Sequence, residues 1–175
     1  MKNTNLPASL EKTLAIEDLD AKLSGLMKEI VKLLNCDRCF LYVREPNLRM
    51  GKAAFCYCRS HVPNVAGDRW EEESSELAQQ DPMFAAALNC QPSIFVEDVE
   101  TADAQVVDRE FEQEHFGHRA LIHAHLCRDR QLWGVLQPSV FGAPRIWTTS
   151  DRELITALST QTTPLVIDYV QQNFS

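Results

Sequence analysis

The chain has 175 residues, with 17 Lys and Arg against 25 Asp and Glu, which gives a net charge of −8. This length suits a single domain with a core of its own. The acidic balance excludes nucleic acid and anionic membranes as main partners, because both select concentrated Lys and Arg. No apolar run approaches the ~20 residues that span a bilayer, and residues 1–9 are too polar for a signal peptide. We therefore expect a cytoplasmic protein.

The N-terminal part of the chain predicts a flexible segment followed by a helix. Residues 1–15 are polar and are expected to be flexible, whereas residues 16–173 are expected to form one domain. Apolar residues recur at helical spacing from Ile16 to Leu34, which predicts an amphipathic helix that buries one face.

Short strands and helices are predicted along the rest of the chain. The acidic residues 71–76 are expected to open a short helix, because negative charge suits a helix N-terminus. Asp81 and Pro82 start another helix. A long last helix begins near residue 149, and Pro164 is expected to kink it. The other predicted elements are strands at 39–44, 52–61, 93–96, 119–127 and 131–140 and a helix near 108–112. This order predicts an α+β domain on an antiparallel sheet.

Two close pairs of cysteines raise the question of a metal or redox site. Cys36 and Cys39 form one pair, and Cys56 and Cys58 form the other. Both pairs lie in apolar, aromatic runs that predict strands, and the second pair lacks the C-x-x-C spacing of a zinc knuckle. Free cysteine is one of the most buried residue types. We therefore favour thiols that fill the core over metal or redox chemistry.

Five stretches, in their order along the chain, resemble the GAF domain, the small-molecule-sensing module of phytochromes, phosphodiesterases and many bacterial regulators. The sequences L-W-G-V-L and P-R-x-W are most similar to the bilin-binding branch, the phytochromes and cyanobacteriochromes. The stretches are residues 34–38 (L-N-C-D-R), 91–99 (Q-P-S-I-F-V-E-D-V), 117–120 (G-H-R-A), 131–136 (Q-L-W-G-V-L) and 144–147 (P-R-I-W).

The resemblance implies a GAF fold: a central antiparallel sheet of about five or six strands, with the first and last helices on one face and a ligand pocket on the other. It also implies a stand-alone, non-catalytic module that senses a small molecule or regulates a partner protein. GAF domains similar to this one often dimerise through their first and last helices, so we expect a homodimer. The side chains that could form that contact are Leu23, Leu26, Ile30, Leu154, Leu158 and Ile167. The alternative is that these apolar faces serve only to cover the sheet.

The chain departs from the bilin-binding branch at the residues that would hold the chromophore. Asp108 and Arg109 occupy the positions of the family's attachment Cys-His pair, and residues 137–140 (Q-P-S-V) stand where a second histidine is usual. These departures argue against a covalent bilin, and the sequence names no other cofactor.

A second branch of the family reduces free methionine sulfoxide with loop cysteines, and it offers an enzyme alternative. The cysteine positions of that branch fall near Ser74, Phe84 and Asp108 here, and none is a thiol. That chemistry needs an attacking thiolate and a resolving cysteine within reach of each other. A thiol-dependent reductase would therefore have to use Cys90 and Cys127, and we expect no enzyme activity.

A strand near residue 123 carries metal-ligating side chains on one face. Period-two alternation places His123, His125 and Cys127 together. Imidazole and thiolate ligate zinc, copper or iron, so a metal-, haem- or tetrapyrrole-bound sensor is one alternative. Hydrogen-bonded histidines in a polar wall, or direct contact with an organic ligand, are the others. The remaining candidate ligand-binding residues are Asp98, Trp70 and Ser139.

Overall fold

The computed structural model describes residues 6–174, and these residues form one sheet with helices on both of its faces. The helices are α1 (Ala8–Leu14), α2 (Leu19–Leu34), α3 (Leu77–Gln80), α4 (Pro82–Leu88), α5 (Arg109–His115) and α6 (Thr149–Asn173). The strands are β1 (Arg38–Glu45), β2 (Met50–Cys58), β3 (Glu71–Glu72), β4 (Ile94–Val96), β5 (Ala120–Arg128) and β6 (Gln131–Val140).

The six strands form one antiparallel sheet in the order β3-β2-β1-β6-β5-β4. Two hairpins, β1–β2 and β5–β6, meet in the middle of the sheet, where β6 lies against β1. The predicted α+β architecture on an antiparallel sheet is confirmed.

Side chains of the central strands alternate between an apolar face and a more polar one. Cys39, Leu41 and Val43 of β1 join the main hydrophobic core beneath α2 and α6. Phe40 and Tyr42 point to the opposite face, as the period of two in a strand requires. The first face is covered by the two long helices, and the second is left to the short helices and a cavity.

Capping residues define the ends of the two long helices. The Asp18 side chain accepts a hydrogen bond from the Ala21 N–H at 2.8 Å, so α2 begins at Leu19 rather than at Ile16. Thr148 and Asp151 form a reciprocal capping box at the start of α6. That helix contains Pro164 and continues to Asn173.

The expectation of a flexible segment over residues 1–15 is wrong for Ala8–Leu14, which form α1. Leu10 is fully buried in the main core, and Thr13 lies close to Gly25 of α2. Leu6 and Leu14, four residues to either side of Leu10, are half-buried against the same core. Burying one leucine contributes about 1.5–3 kcal/mol, which holds this short helix against the domain. Residues 1–5 lie outside the described part of the chain.

The acidic segment at residues 71–76 does not open a helix. Glu71 and Glu72 instead form the edge strand β3, pairing with Gly51 and Met50. The backbone of β2 would otherwise present unpaired N–H and C=O groups at the edge of the sheet. The helical turn begins later, at Leu77.

The apolar side chains proposed for a homodimer cover the sheet of their own chain instead. Leu23, Leu26, Ile30, Leu158 and Ile167 are buried, and Leu154 packs against the same core. The five buried side chains are therefore not available to a second copy. Among the described residues, no helix is both long enough and apolar enough to cross a membrane.

The contact between β1 and β6 yields a prediction at Gly134. A Cβ atom there would lie 2.5 Å from the Tyr42 backbone oxygen, a group that cannot move without disturbing the sheet. Gly134→Ala should destabilise the domain by about 1–3 kcal/mol and lower Tm by roughly 3–10 °C. Thermal unfolding followed by circular dichroism measures this shift.

Gly67→Ala is the matched control, because a Cβ at Gly67 meets no atom within 4 Å. Its Tm should equal or slightly exceed that of the wild type. A Gly134→Ala protein that melts with the wild type would contradict the close approach of β6 to β1.

Candidate functional site

A cavity of about 800 Å³ lies on the face of the sheet opposite α2 and α6. Its floor is formed by side chains of β1, β2, β5 and β6, and its walls by residues 65–74 and the short helices α3, α4 and α5. A pocket on this face was expected, and the volume falls in the range of small-molecule sites. The aromatic residues around it are Phe40, Tyr42, Phe84, Phe111 and Phe116.

Acidic side chains outnumber basic ones around this cavity. Only two basic side chains, Lys52 and Arg69, are among the lining residues. Lys52 points to the other side of the sheet, where its Nζ lies 5.1 Å from the ring centroid of Trp70 and 5.7 Å from that of Tyr169. The local charge is therefore negative. The acidic residues are Asp68, Glu71, Glu72, Glu73, Asp81 and Glu112, and the basic ones are Lys52 and Arg69.

One of these acids, Glu73, forms a buried ion pair with Arg44 of β1. Arg44 Nε donates to Glu73 Oε1 at 2.5 Å, and Arg44 Nη1 donates to the Leu132 carbonyl at 3.2 Å. The second carboxylate oxygen, Oε2, has no hydrogen-bond partner although the Glu73 side chain is only 2% exposed. A buried acceptor without a partner costs about 1–3 kcal/mol.

Two further carboxyl groups of the cavity are buried, at Asp81 and Glu112. Asp81 caps α4 by accepting hydrogen bonds from the backbone N–H groups of Met83 and Phe84. Burial raises the pKa of Asp81 to about 7, and the nearby Glu112 adds to this rise. Burial likewise raises the pKa of Glu112 to about 8.

Glu112 is hydrogen-bonded to a buried histidine, with 2.5 Å between Glu112 Oε2 and His118 Nε2. Burial lowers the pKa of His118 to about 3, so the shared proton resides on the carboxyl, which donates it to the neutral ring. The imidazole stacks on Phe116 with ring centroids 5.2 Å apart. Its Nδ1 has no partner.

His123 and His125 of β5 form a hydrogen-bonded chain whose direction is set by a carbonyl. His125 Nδ1 lies 2.7 Å from the Gln91 oxygen, so this nitrogen must carry the proton and donate it. Burial lowers the pKa of both rings, so His125 is neutral and its Nε2 accepts from His123 Nδ1 at 2.9 Å. His123, which lines the cavity, therefore keeps an unprotonated Nε2 as an acceptor.

The predicted metal set of His123, His125 and Cys127 is not assembled. Both ring nitrogens of His125 are already hydrogen-bonded, and Cys127 Sγ lies 3.9 Å from the Ala87 oxygen, beyond a bulge in β5. In the part of the chain that the structure describes, no three His, Cys, Asp or Glu side chains converge as a metal site.

The other candidate ligand-binding residues lie away from the cavity. Asp98 is bound by Arg119 at 2.6 and 3.0 Å and borders a separate cleft of about 640 Å³; the hydrogen bond with Arg119 lowers its pKa. Trp70 packs edge-on against Phe174, with ring centroids 4.9 Å apart. Ser139 is fully buried, and its hydroxyl has no hydrogen-bond partner.

Of the four cysteines expected to fill the core, two do so, whereas Cys56 and Cys58 of β2 are only half-buried and lie outside the main core. Cys36 and Cys39 are fully buried in the main core, and burial raises the pKa of Cys36 to about 12. Cys90 and Cys127 are in contact with each other, and burial raises the pKa of Cys127 to about 12. All six cysteines lie in the described part of the chain, and none lines the cavity.

Sequence reasoning missed Glu73, Asp81, Glu112 and Gln137 as residues of the site. Gln137 lies on the floor with an unpartnered Nε2. Asp81 and Glu112 were visible only as parts of predicted helices. The alternation along the predicted last strand was a usable signal, because it places the polar Gln137 on a buried face.

The raised pKa of Asp81 predicts a pH-dependent gain in stability for Asp81→Asn. Asn caps a helix about as well as Asp, and it carries no charge to desolvate. An unfolded Asp ionises near ~3.9, whereas Asp81 in the fold ionises near 7. The advantage of the variant over the wild type should therefore grow from about pH 4 to about pH 7, reaching on the order of 1–3 kcal/mol.

Urea unfolding of both proteins at several pH values measures this difference. Asp129→Asn, in the exposed β5–β6 turn, is the control and should show no such trend. A constant difference between Asp81→Asn and wild type across this pH range would contradict the buried carboxyl.

Comparison with known proteins supports the family resemblance. The model of the GAF domain matches residues 18–163. The chromophore-binding domain of the bacteriophytochrome RpBphP3 from R. palustris superimposes with a TM-score of 0.71 at 16% identity, covering 94% of this chain but only 60% of that chain. The PixJ GAF domain of Thermosynechococcus elongatus, in its blue-light absorbing form, gives 0.66 at 18% identity over 95% of this chain and 93% of its own.

A third structure comes from outside the light-sensing proteins. The GAF domain of an Acinetobacter phosphoenolpyruvate-protein phosphotransferase gives a TM-score of 0.67 at 11% identity, with 91% of each chain covered. No curated protein matches the sequence. Identities this low show a common fold alone, but the family model spans most of the chain and agrees with the sheet and cavity described above. The chain belongs to the GAF domain family.

Proposed function

We propose that this GAF domain is a non-catalytic sensor that binds a small molecule in its cavity without a covalent bond. The observation that carries the proposal is a cavity of about 800 Å³ whose wall holds two unpartnered buried polar atoms, Glu73 Oε2 and Gln137 Nε2. Buried polar groups almost always find a partner. A ligand with a matching donor and acceptor would satisfy both atoms. The fold itself is that of a sensor or regulatory module.

The cysteines support a binding role over a thiol enzyme. A reductase needs a thiolate near its substrate, but none of the six thiols lines the cavity. Cys90 and Cys127 do lie together, yet burial raises the pKa of Cys127 to about 12, which keeps that thiol protonated at neutral pH. We therefore propose binding without catalysis.

The proposed sensor would report ligand binding through a protein partner or a second copy of the chain. The cavity wall includes the short elements β3, α3, α4 and α5, which a ligand can reposition without disturbing the main core. A homodimer through α2 and α6 stays a prediction. It would have to use exposed side chains such as Leu33, because the apolar stripe itself is buried.

A non-covalently bound tetrapyrrole is the second candidate function. The similarity to the chromophore-binding domain of a bacteriophytochrome favours it. In this chain Asp108 caps α5 by accepting from the Phe111 N–H, and Arg109 is the first residue of that helix. Neither side chain can form a thioether.

Because Asp108 and Arg109 stand where the family has its attachment Cys-His pair, we predict that biliverdin binds to this protein without a covalent bond. Any complex formed on mixing should separate completely on denaturing electrophoresis, and the protein band should show no zinc-induced fluorescence. A fluorescent band would contradict non-covalent binding, and its loss in Cys90→Ser would identify an attachment site off the family pattern.

Blocking the cavity tests the main proposal. Ala53 of β2 lines the cavity on the same face as Tyr42, so Ala53→Phe should fill it. Ligands can be found by screening metabolites for a rise in Tm. A metabolite that binds the cavity, present at about 100 times its Kd, should stabilise the wild type by ~2.7 kcal/mol, which raises Tm by roughly 5–10 °C. The rise should be lost in Ala53→Phe.

Ala104→Phe, at an exposed position outside the cavity, is the control and should keep the full shift. A ligand that stabilises Ala53→Phe as strongly as the wild type would place binding elsewhere and contradict the proposal.

A further inference from the structure

We propose that the ligand of this cavity is a flat organic cation, an aromatic amine or amidine that carries a positive charge. This inference rests on the proposed function, because it names the ligand class of the same cavity. Four features of the cavity point to it: an unpartnered carboxylate oxygen, a histidine acceptor, aromatic walls and a negative local charge.

The first feature is the free oxygen of Glu73. Arg44 occupies Oε1 only, and Oε2 is left without a partner in a side chain that is 98% buried and lines the cavity. A charged N–H donor meeting a carboxylate makes a hydrogen bond roughly twice as strong as a neutral one. An anionic or purely acceptor ligand would leave this oxygen unsatisfied.

The second feature is the fixed tautomer of His123. The Gln91 carbonyl accepts a hydrogen bond from His125 Nδ1, which must therefore carry the proton, and His125 Nε2 in turn accepts a hydrogen bond donated by His123 Nδ1. His123 therefore has only a lone pair, on Nε2, to offer a ligand. Since His123 lines the cavity floor, this nitrogen also selects a ligand with N–H donors.

The third feature is the pair of aromatic contacts that frame the cavity. Phe40 and Phe116 stack with ring centroids 5.9 Å apart, and Tyr42 meets Phe84 edge-to-face at 6.3 Å. Gly51 leaves room for the Tyr42 ring to lie along β2, because a Cβ there would be 2.0 Å from the Tyr42 hydroxyl. Aromatic faces attract a delocalised cation, and a flat ligand exposes the most surface to them.

The fourth feature is the distribution of charge. Glu112 holds the proton that it shares with His118, and burial also favours the neutral form of Asp81. The other four acidic side chains of the cavity face two basic ones, of which Lys52 is turned to the opposite face of the sheet.

Two buried guanidinium groups lie near the cavity but do not line it: that of Arg44 is paired with Glu73, and that of Arg38 lies between the rings of Phe40 and Phe141, with its carbon 5.6 and 4.9 Å from their centroids. The negative potential of the cavity would therefore repel an anionic ligand and attract a cationic one.

Three flat probes of similar size and different charge test the inference: 9-aminoacridine as the cation, acridone as the neutral compound and acridine-9-carboxylate as the anion. Fluorescence titration of the full chain at neutral pH gives the three values of Kd. We expect 9-aminoacridine to bind at least about 10-fold more tightly than either of the others, as one charge-assisted hydrogen bond implies.

Glu73→Gln should weaken binding of 9-aminoacridine by about 10-fold or more, whereas Glu76→Gln, at an exposed position outside the cavity, should leave it unchanged. Because Glu73→Gln also removes the partner of a buried arginine, its folding is checked by circular dichroism. If Glu73→Gln does not fold, the inference is tested by the Kd values of the three probes for the wild-type protein.

The outcomes separate this inference from the proposed function. Equal or tighter binding of acridone or the carboxylate, lost in Ala53→Phe, overturns the cation and keeps the cavity as the binding site. Binding of 9-aminoacridine that survives Ala53→Phe, or no binding of it at all, also overturns the inference. The proposed function is then judged by the metabolite screen alone.

Discussion

The central strands β1, β6 and β5 are buried on both faces, and this constraint shapes everything on the cavity side of the sheet. The face beneath α2 and α6 is apolar and needs no polar partners. The other face carries charged and polar side chains, whose burial costs free energy unless they find a partner away from water. The result is a set of buried pairs: Arg44 with Glu73, Glu112 with His118, and His123 with His125.

These pairs explain why two hydrogen-bond acceptors of the cavity, one on Glu73 and one on His123, have no partner within the protein. Arg44 is satisfied by Glu73 and the Leu132 carbonyl, which leaves one oxygen of Glu73 over. The Gln91 carbonyl fixes the direction of the two hydrogen bonds made by His125, and His123 Nε2 therefore keeps its lone pair. In the cavity wall, internal pairing therefore leaves two acceptors, Glu73 Oε2 and His123 Nε2, and one unpartnered donor, Gln137 Nε2. A ligand with several N–H groups and one acceptor would complement this arrangement.

The comparison with bilin-binding GAF domains shows a common fold that carries different side chains at the chromophore-attachment position. The sheet, the long helices and the cavity side are shared features of the fold, whereas Asp108 and Arg109 now serve to start α5. Function in such a family depends on side chains placed on a common scaffold. In this chain the side chains around the cavity are mainly acidic and aromatic, whereas Cys36 and Cys39 lie in the main core and the other four cysteines are half-buried outside the cavity.

The sequence by itself determined the α+β class, the antiparallel sheet, the long helices and that His123 and His125 share one face of a strand, because these follow from local periodicity and capping. Which face of the sheet that is was decided by the tertiary structure. The sequence missed α1, a helix of seven residues that is too short to be stable without its packing on the core, and β3, whose pairing comes from a distant strand edge. Only the tertiary structure decided that Glu73, Asp81, Glu112 and Gln137 meet around one cavity while Asp98 and Trp70 do not. The reason is physical: burial, partner choice and the pKa of a carboxyl depend on groups brought together from distant segments, and no local pattern encodes them.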